Sequence, residues 1–173
     1  MKVENIQIRR MHVRDLAGVL EIERQAFAMP WTSQMFLNEI AAAGESVPLV
    51  AHLGGRLVGY AILWLVGTRL HVANIAVEEG SRRLGIGTLL VRRAFVEARN
   101  RRCRRTSLET RASNRAAIDL FRTLGFRTVA ISHGYYTDND EDALVMVRAI
   151  EAEGKREESP SDAECQRNAR LPE

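Results

Sequence analysis

The chain is short of three things, and each shortage removes a class of function. It has two cysteines in 173 residues, Cys103 and Cys165, far apart in sequence. A disulfide framework needs pairs and a thiolate metal site needs clustered spacing, so neither is expected. No run approaches the ~18 apolar residues that a membrane span requires, and the opening MKVENIQIRR lacks the apolar core of a secretory signal. The expectation is a cytoplasmic protein with no membrane partner. The four histidines, His12, His52, His71 and His133, have no metal-binding spacing and read as surface or packing residues. No metal is expected.

With 46% hydrophobic and 27% charged residues, the chain can bury one sizeable core. Residues 1–150 read as that domain. Residues 151–173 shift to Glu, Lys, Ser and Pro without periodicity and read as a disordered tail. The tail holds seven acidic and four basic residues, net −3, so the body carries +6 of a total of +3. Seven arginines (Arg92, Arg93, Arg99, Arg101, Arg102, Arg104 and Arg105) fall within fourteen positions. Such a patch can meet phosphate or RNA; no aromatic residues interleave with it as a single-strand platform requires, so it reads as a solvated helix face and loop, and no specific nucleic-acid binding is expected.

Periodicity orders the elements. Ile6 and Ile8 alternate in a short strand. Asp15 can cap a helix with Leu16, Val19, Leu20, Ala26 and Phe27 on one face and Glu23 as a polar exception, and Thr32 or Ser33 can cap a second carrying Met35, Phe36 and Ile40, closed by Gly44. Residues 48–53 and 57–66 flank Gly54-Gly55 as a hairpin, and Gly67-Thr68 turns into a third antiparallel strand over 70–77. A helix to about Asn100 turns Leu89, Leu90, Ala94, Phe95 and Ala98 inward. Then come a strand over 106–110, a helix capped by Ser113 or Asn114 with Ala116, Ala117, Leu120, Phe121 and Leu124 inward and Gly125 as terminator, and strands over 126–132 and 143–147 with a polar loop over 135–142 between them.

The most informative stretch is residues 74–90, NIAVEEGSRRLGIGTLL. A strand passes to a helix through Arg82-Arg83-Leu84-Gly85-Ile86-Gly87, and a helix start of this kind offers unpartnered N–H groups to an anion. A dinucleotide-binding loop wants a third glycine where Leu90 stands, and a nucleotide-hydrolase loop wants a lysine where Gly87 runs directly into Thr88. What remains is an Arg-x-x-Gly-x-Gly turn suited to a pyrophosphate without metal.

This loop is followed by LETRASNRAAIDLFRTLGF at 108–126 and YYTDNDEDALVM at 135–146, and preceded by AFAMPW at 26–31. In that combination, over roughly residues 6–147, the chain resembles the GNAT acetyltransferases, and among them the RimI-type protein N-terminal acetyltransferases. The resemblance implies an α/β (α+β) fold with a mixed, mostly antiparallel sheet of about seven strands flanked by about four helices. It implies acetyl-CoA as co-substrate. Ile75, Ala76 and Val77 would present strand backbone to the acetyl-pantetheine arm, Arg83, Leu84, Gly85, Ile86, Gly87 and Thr88 would wrap the pyrophosphate, and Asn114 would bond the cofactor. The implied acceptor is a protein or peptide N-terminus, and more narrowly the N-terminal alanine of a small-subunit ribosomal protein. A small-molecule amine acetyltransferase and a CoA-binding regulatory module are the alternatives.

Transfer to an amine requires that amine to be neutral. An α-amino group of pKa ~7.7–8.0 needs about 1 kcal/mol to deprotonate at pH 7, against about 4.6 for lysine. The resemblance makes Glu109 the general base, acting directly or through a water; its structural alternative is a pair with Arg111. The tyrosine that serves this family as general acid corresponds here to Phe121, which has no proton to give. Tyr135 or Tyr136 can substitute or line the peptide groove, or water can protonate the thiolate. Cys103 sits among arginines that can lower its pKa, but with no histidine near in sequence it is not expected to act as nucleophile.

Overall fold

The computed structural model describes residues 6–42 and 44–150; the predicted tail, 151–173, lies outside them. Seven strands form one sheet: β1 (Ile6–Arg10), β2 (Ser46–Leu53), β3 (Arg56–Val66), β4 (Arg69–Val77), β5 (Arg105–Arg111), β6 (Arg127–Tyr136) and β7 (Glu141–Ala149). Their spatial order is β1-β2-β3-β4-β5-β7-β6, and every pairing is antiparallel except β4 with β5. Four helices cover it: α1 (Leu16–Ala26), α2 (Ser33–Ala41), α3 (Ile86–Asn100) and α4 (Arg115–Thr123). The parallel pair requires a long crossover, and α3 supplies it. This is the mixed sheet with four helices expected from the sequence. Among the described residues no helix is long and apolar enough to cross a membrane.

Each face of the sheet has its own core. Leu90, Val91, Ala94, Phe95 and Ala98 of α3, with Phe121 of α4, pack on Leu49, Leu63, Leu70 and Leu108. On the other face Leu16, Val19 and Ile22 of α1 and Phe36 of α2 meet Val50, Tyr60 and Ile62. A fully buried side chain of this size contributes about 1.5–3 kcal/mol, so the two layers hold the sheet from both sides.

Four local expectations are corrected. Asp15 does precede α1, but its carboxylate does not cap it: it accepts the His12 N–H at 2.8 Å and pairs with both ends of the Arg9 guanidinium at 2.7 Å. Ala116 faces solvent and Ile118 is buried in its stead, because α4 begins at Arg115 and its apolar stripe runs through Ile118, Phe121 and Leu124. Met35 is 41% exposed beside the fully buried Phe36. Tyr135 and Tyr136 are not in the final loop but complete β6, where Tyr136 pairs with Glu141, so the turn is only residues 137–140.

Candidate active site

The site is made by two strands that part. β4 and β5 are in register from Arg69↔Arg105 to Val72↔Leu108 and no further. Beyond that point residues 73–77 of β4 and 109–111 of β5 have no partner across the gap. A bulge lies at the place of parting: Ile62 pairs with Asn74 and Leu63 with Val72, which leaves Ala73 as an extra residue in β4. A bulge bends its strand and steepens the local twist, which turns β4 away from β5. The split therefore exposes the backbone edge of Ile75, Ala76 and Val77, groups that need a hydrogen-bonding partner if water is displaced.

At the wide end of the split stands the glycine loop. Arg83 and Gly85 both take left-handed backbone, with φ of 64° and 82°, and successive turns of this kind aim N–H groups into a shared concavity. Gly85 is the N-cap of α3 and has no side chain to cap it. The Leu89 N–H reaches Gly85 O at 3.0 Å, which leaves the N–H groups of Ile86, Gly87 and Thr88 without a partner in the helix. Gly87 packs close to α4: a Cβ there would stand 3.2 Å from Leu120 Cδ2. Asn114 caps α4, its Oδ1 accepting the Ala117 N–H at 3.1 Å. Its amide NH2 has no part in that bond.

At the narrow end stands Glu109, the first residue of β5 past the last register pair. It is not paired with Arg111. The Arg111 guanidinium instead bonds Asp138, Asn139 and Glu141 at 2.8–3.1 Å and lies 3.9 Å over the Tyr136 ring. Glu109 Oε2 lies 3.1 Å from Nε2 of His71 on β4, whose Nδ1 is 3.0 Å from Ser107 Oγ. His71 is half-buried and packs on Trp64, as a packing residue does, and the parallel pairing of β4 with β5 also brings it beside Glu109. Burial lowers the His71 pKa, Glu109 opposes this and Arg69 adds to it, so the ring is neutral near pH 7. Trp64 of β3 lies 5.9 Å from the His71 ring, centre to centre, and Trp31 stacks on Trp64 at 6.2 Å.

A loop for an anion, an open strand edge and a carboxylate thus lie along one split, and residues 16–126, which span it, match the model of the acetyltransferase (GNAT) family. The chain belongs to the GNAT acetyltransferase family. Its relatives include a Bacillus subtilis protein, provisionally assigned as a [ribosomal protein bS18]-alanine N-acetyltransferase, 37% identical over 80% of this chain and 92% of that one. The Escherichia coli K12 [ribosomal protein bS18]-alanine N-acetyltransferase is 33% identical over 83% of this chain and 97% of its own. The crystal structure of the E. coli ribosomal-protein-S18-alanine N-acetyltransferase superposes with a TM-score of 0.77 at 31% identity, covering 87% of this chain and 97% of that one. Arabidopsis thaliana NAA60, solved in complex with acetyl-CoA, shares the fold at 22% identity with a TM-score of 0.76, over 84% of this chain and 98% of that one.

Phe121, which has no proton to give, and Cys103, not expected to act as nucleophile, both lie in the core of this GNAT chain. Phe121 is 3% exposed and packs edge-on against Phe126 at 5.5 Å, a core contact. Cys103 is buried, and burial raises its thiol pKa despite Arg101, contrary to the expectation from its arginine neighbours. Tyr135 and Tyr136 stand edge to face at 5.1 Å. Burial pushes the Tyr136 phenol up to about 12, with Arg111 opposing, and Tyr135 is raised by burial and by the Glu109 charge.

One buried residue was legible only as an irregularity in a helix. Glu23 is fully buried and accepts from the Trp31 N–H at 2.8 Å, the Asn74 amide at 3.2 Å and the Tyr60 hydroxyl. A surface cleft of about 560 Å³ lies elsewhere, between α3 and the end of α4, where Arg92, Phe95, Arg99, Leu124 and Arg148 line it. It contains none of the site residues. The seven arginines of residues 92–105 are all exposed.

Proposed function

We propose that the chain is an acetyl-CoA-dependent N-α-acetyltransferase of protein N-termini, with the N-terminal alanine of a small-subunit ribosomal protein as its substrate in the cytoplasm. The observation that carries the reading is the position of Glu109: a partly exposed carboxylate at the narrow end of the split, with the anion cradle at the other end. The names of the relatives at 33–37% identity support the acceptor.

Acetyl-CoA, bound along the split, supplies an activated thioester. Ile75, Ala76 and Val77 would hold its acyl arm on their open backbone edge. The N–H groups of Ile86, Gly87 and Thr88, with the left-handed turn at Arg83 and Gly85 and the neighbouring Leu84, would hold its pyrophosphate. The free amide of Asn114 would bond it from α4. A cradle that offers only N–H donors and arginine charge suits a pyrophosphate without metal.

Glu109 takes the proton that the amine releases, directly or through one water. The N–C bond forms and the C–S electron pair leaves with sulfur. A thiol of pKa near ~8.5 needs about 2 kcal/mol to depart as thiolate at pH 7, so no strong acid is required. Tyr136, with a phenol near 12, is the weaker acid of the two and lines the groove. Phe121 donates no proton.

The test is mass spectrometry of alanine-starting peptides incubated with acetyl-CoA. The α-amine should carry the label. Labelling confined to lysine side chains or to free small amines overturns the reading.

A further inference from the structure

The proposed chemistry uses Glu109, and the structure holds that carboxylate by a second side chain on the neighbouring strand. The geometry points to His71 as a positioning residue that fixes Glu109 Oε2 and leaves Oε1 to take the amine's proton. The inference rests on the reading of Glu109 as base and goes one step beyond it.

The contacts fit one tautomer of the neutral ring. An ionised carboxylate only accepts, so the Nε2 that faces Glu109 Oε2 at 3.1 Å carries the hydrogen. In the neutral ring Nδ1 is then the acceptor, and the Ser107 hydroxyl at 3.0 Å donates to it. Ser107 is buried, and it lies two residues before Glu109 on the same face of β5. One strand therefore supplies both the carboxylate and the hydroxyl that selects the tautomer. The other charged group facing the ring is Arg69, from β4 itself, which with burial keeps the imidazole neutral. From β3, Trp64 covers the ring and is itself anchored through its Nε1–H to Glu39 of α2 at 2.9 Å.

The arrangement has a consequence for proton transfer. A neutral donor holds the carboxylate in place without cancelling its charge, and Oε1 keeps its lone pairs for the amine or an intervening water. When the N–C bond forms, the proton leaves nitrogen for Oε1 and the C–S pair departs with sulfur; His71 neither gains nor loses a proton. Without His71 the Glu109 side chain can rotate about its terminal bonds, and a misplacement of about 1 Å can cost roughly 10²-fold in rate.

The experiment combines a double-mutant cycle with a spectroscopic readout on the full chain. Turnover of an alanine-starting peptide is measured for wild type, His71→Ala, His71→Gln, Glu109→Gln and the double variant His71→Ala/Glu109→Gln. His71→Ala should lower kcat by roughly 10- to 100-fold with KM for acetyl-CoA unchanged. His71→Gln, which keeps an N–H donor, should recover part of the loss, and His71→Ala should cost nothing more once Glu109 is Gln. In the free protein, 15N NMR of the imidazole at pH 7 should show hydrogen on Nε2 and none on Nδ1. Ser107→Ala, a smaller change to the core, should mix the tautomers and lower kcat in the same direction. A His71→Ala loss of equal size in both Glu109 backgrounds, full turnover in His71→Ala, or hydrogen on Nδ1 overturns the positioning role and leaves Glu109 as base. Full turnover in Glu109→Gln overturns the base reading, and the positioning role with it.

Discussion

Glu23 Oε1 accepts the backbone N–H of Trp31 at 2.8 Å, so a carboxylate in the middle of α1 fixes the connection that leads to α2. The same carboxylate accepts from the Asn74 amide and the Tyr60 hydroxyl. Asn74 precedes the open strand edge of residues 75–77, and Trp31 stacks on Trp64, which covers His71. One buried group thereby links the loop between α1 and α2 to β4 at two places, directly at Asn74 and through the two tryptophans at His71.

Removing that group should cost stability before it costs chemistry. Glu23→Ala leaves the Trp31 N–H and the Asn74 amide buried without their acceptor, at about 1–3 kcal/mol each. Glu23→Gln keeps a carbonyl for Trp31 and should cost less than half as much. Denaturant unfolding of the two variants checks the ranking; equal losses would place the cost in packing and not in the hydrogen bonds.

The glycine loop allows a controlled comparison of three alanine substitutions. Gly85 has φ of 82°, where an L side chain costs roughly 1–2 kcal/mol, and its distortion spreads to the N–H groups behind it. Gly85→Ala should weaken acetyl-CoA binding by about tenfold. Gly87→Ala, whose Cβ meets the flexible end of Leu120 at 3.2 Å and Val77 Cγ2 at an ordinary 3.9 Å, should weaken it less, and Gly80→Ala, with nothing within 4 Å, should leave it unchanged. Titration calorimetry measures all three, and an effect at Gly80 as large as at Gly85 would refute the account.

The elements most legible in the sequence were those in which one local signal decides the outcome. The 3.6 period from Leu90 to Ala98, the Thr32 and Asn114 caps and the Gly54-Gly55 hairpin are all settled within a few residues, and all stand where expected. What the sequence did not show depends on pairing between distant strands. His71 and Glu109 are thirty-eight positions apart in the sequence, and only the parallel register of β4 on β5, with its end at Val72 and Leu108, sets them side by side. Glu23 looked like a flaw in an apolar stripe because its partners, Trp31, Tyr60 and Asn74, come from three other segments. Tyr135 and Tyr136 read as loop in the sequence because the polar composition of residues 137–142 hides the strand that runs up to it.

Tyr136 provides a test of whether the reaction needs a protein acid. Its phenol stands near 12, chiefly because it is buried, and its ring carries the Arg111 guanidinium at 3.9 Å. Tyr136→Phe keeps the ring and that contact while deleting the proton. Turnover should stay within about threefold of wild type, since a lost general acid would cost ~10²–10⁴. A loss in that larger range, at every pH at which the phenol keeps its proton, would make Tyr136 the acid after all.

Asp15 and Glu23 should leave opposite marks on stability as pH changes. The Arg9 guanidinium, chiefly, and the His12 N–H hold Asp15 below its ordinary pKa, whereas burial raises Glu23 above its own. A depressed carboxylate contributes stability that is complete above its unfolded value of ~3.9 and is lost as pH falls through its lower folded value. A raised one works the other way: its contribution is complete below ~4.3 and fades as pH rises through the folded value. Asp15→Asn should therefore cost its full amount at pH 7, about 1 kcal/mol because Arg9 is partly exposed, and progressively less below pH ~4. Glu23→Gln should compare worst with wild type near pH 4 and gain on it as pH rises. Chemical denaturation from pH 3 to 8 reads both slopes, and a Glu23→Gln penalty that grows with pH would mean that the Trp31, Asn74 and Tyr60 donors outweigh burial and keep that carboxylate charged.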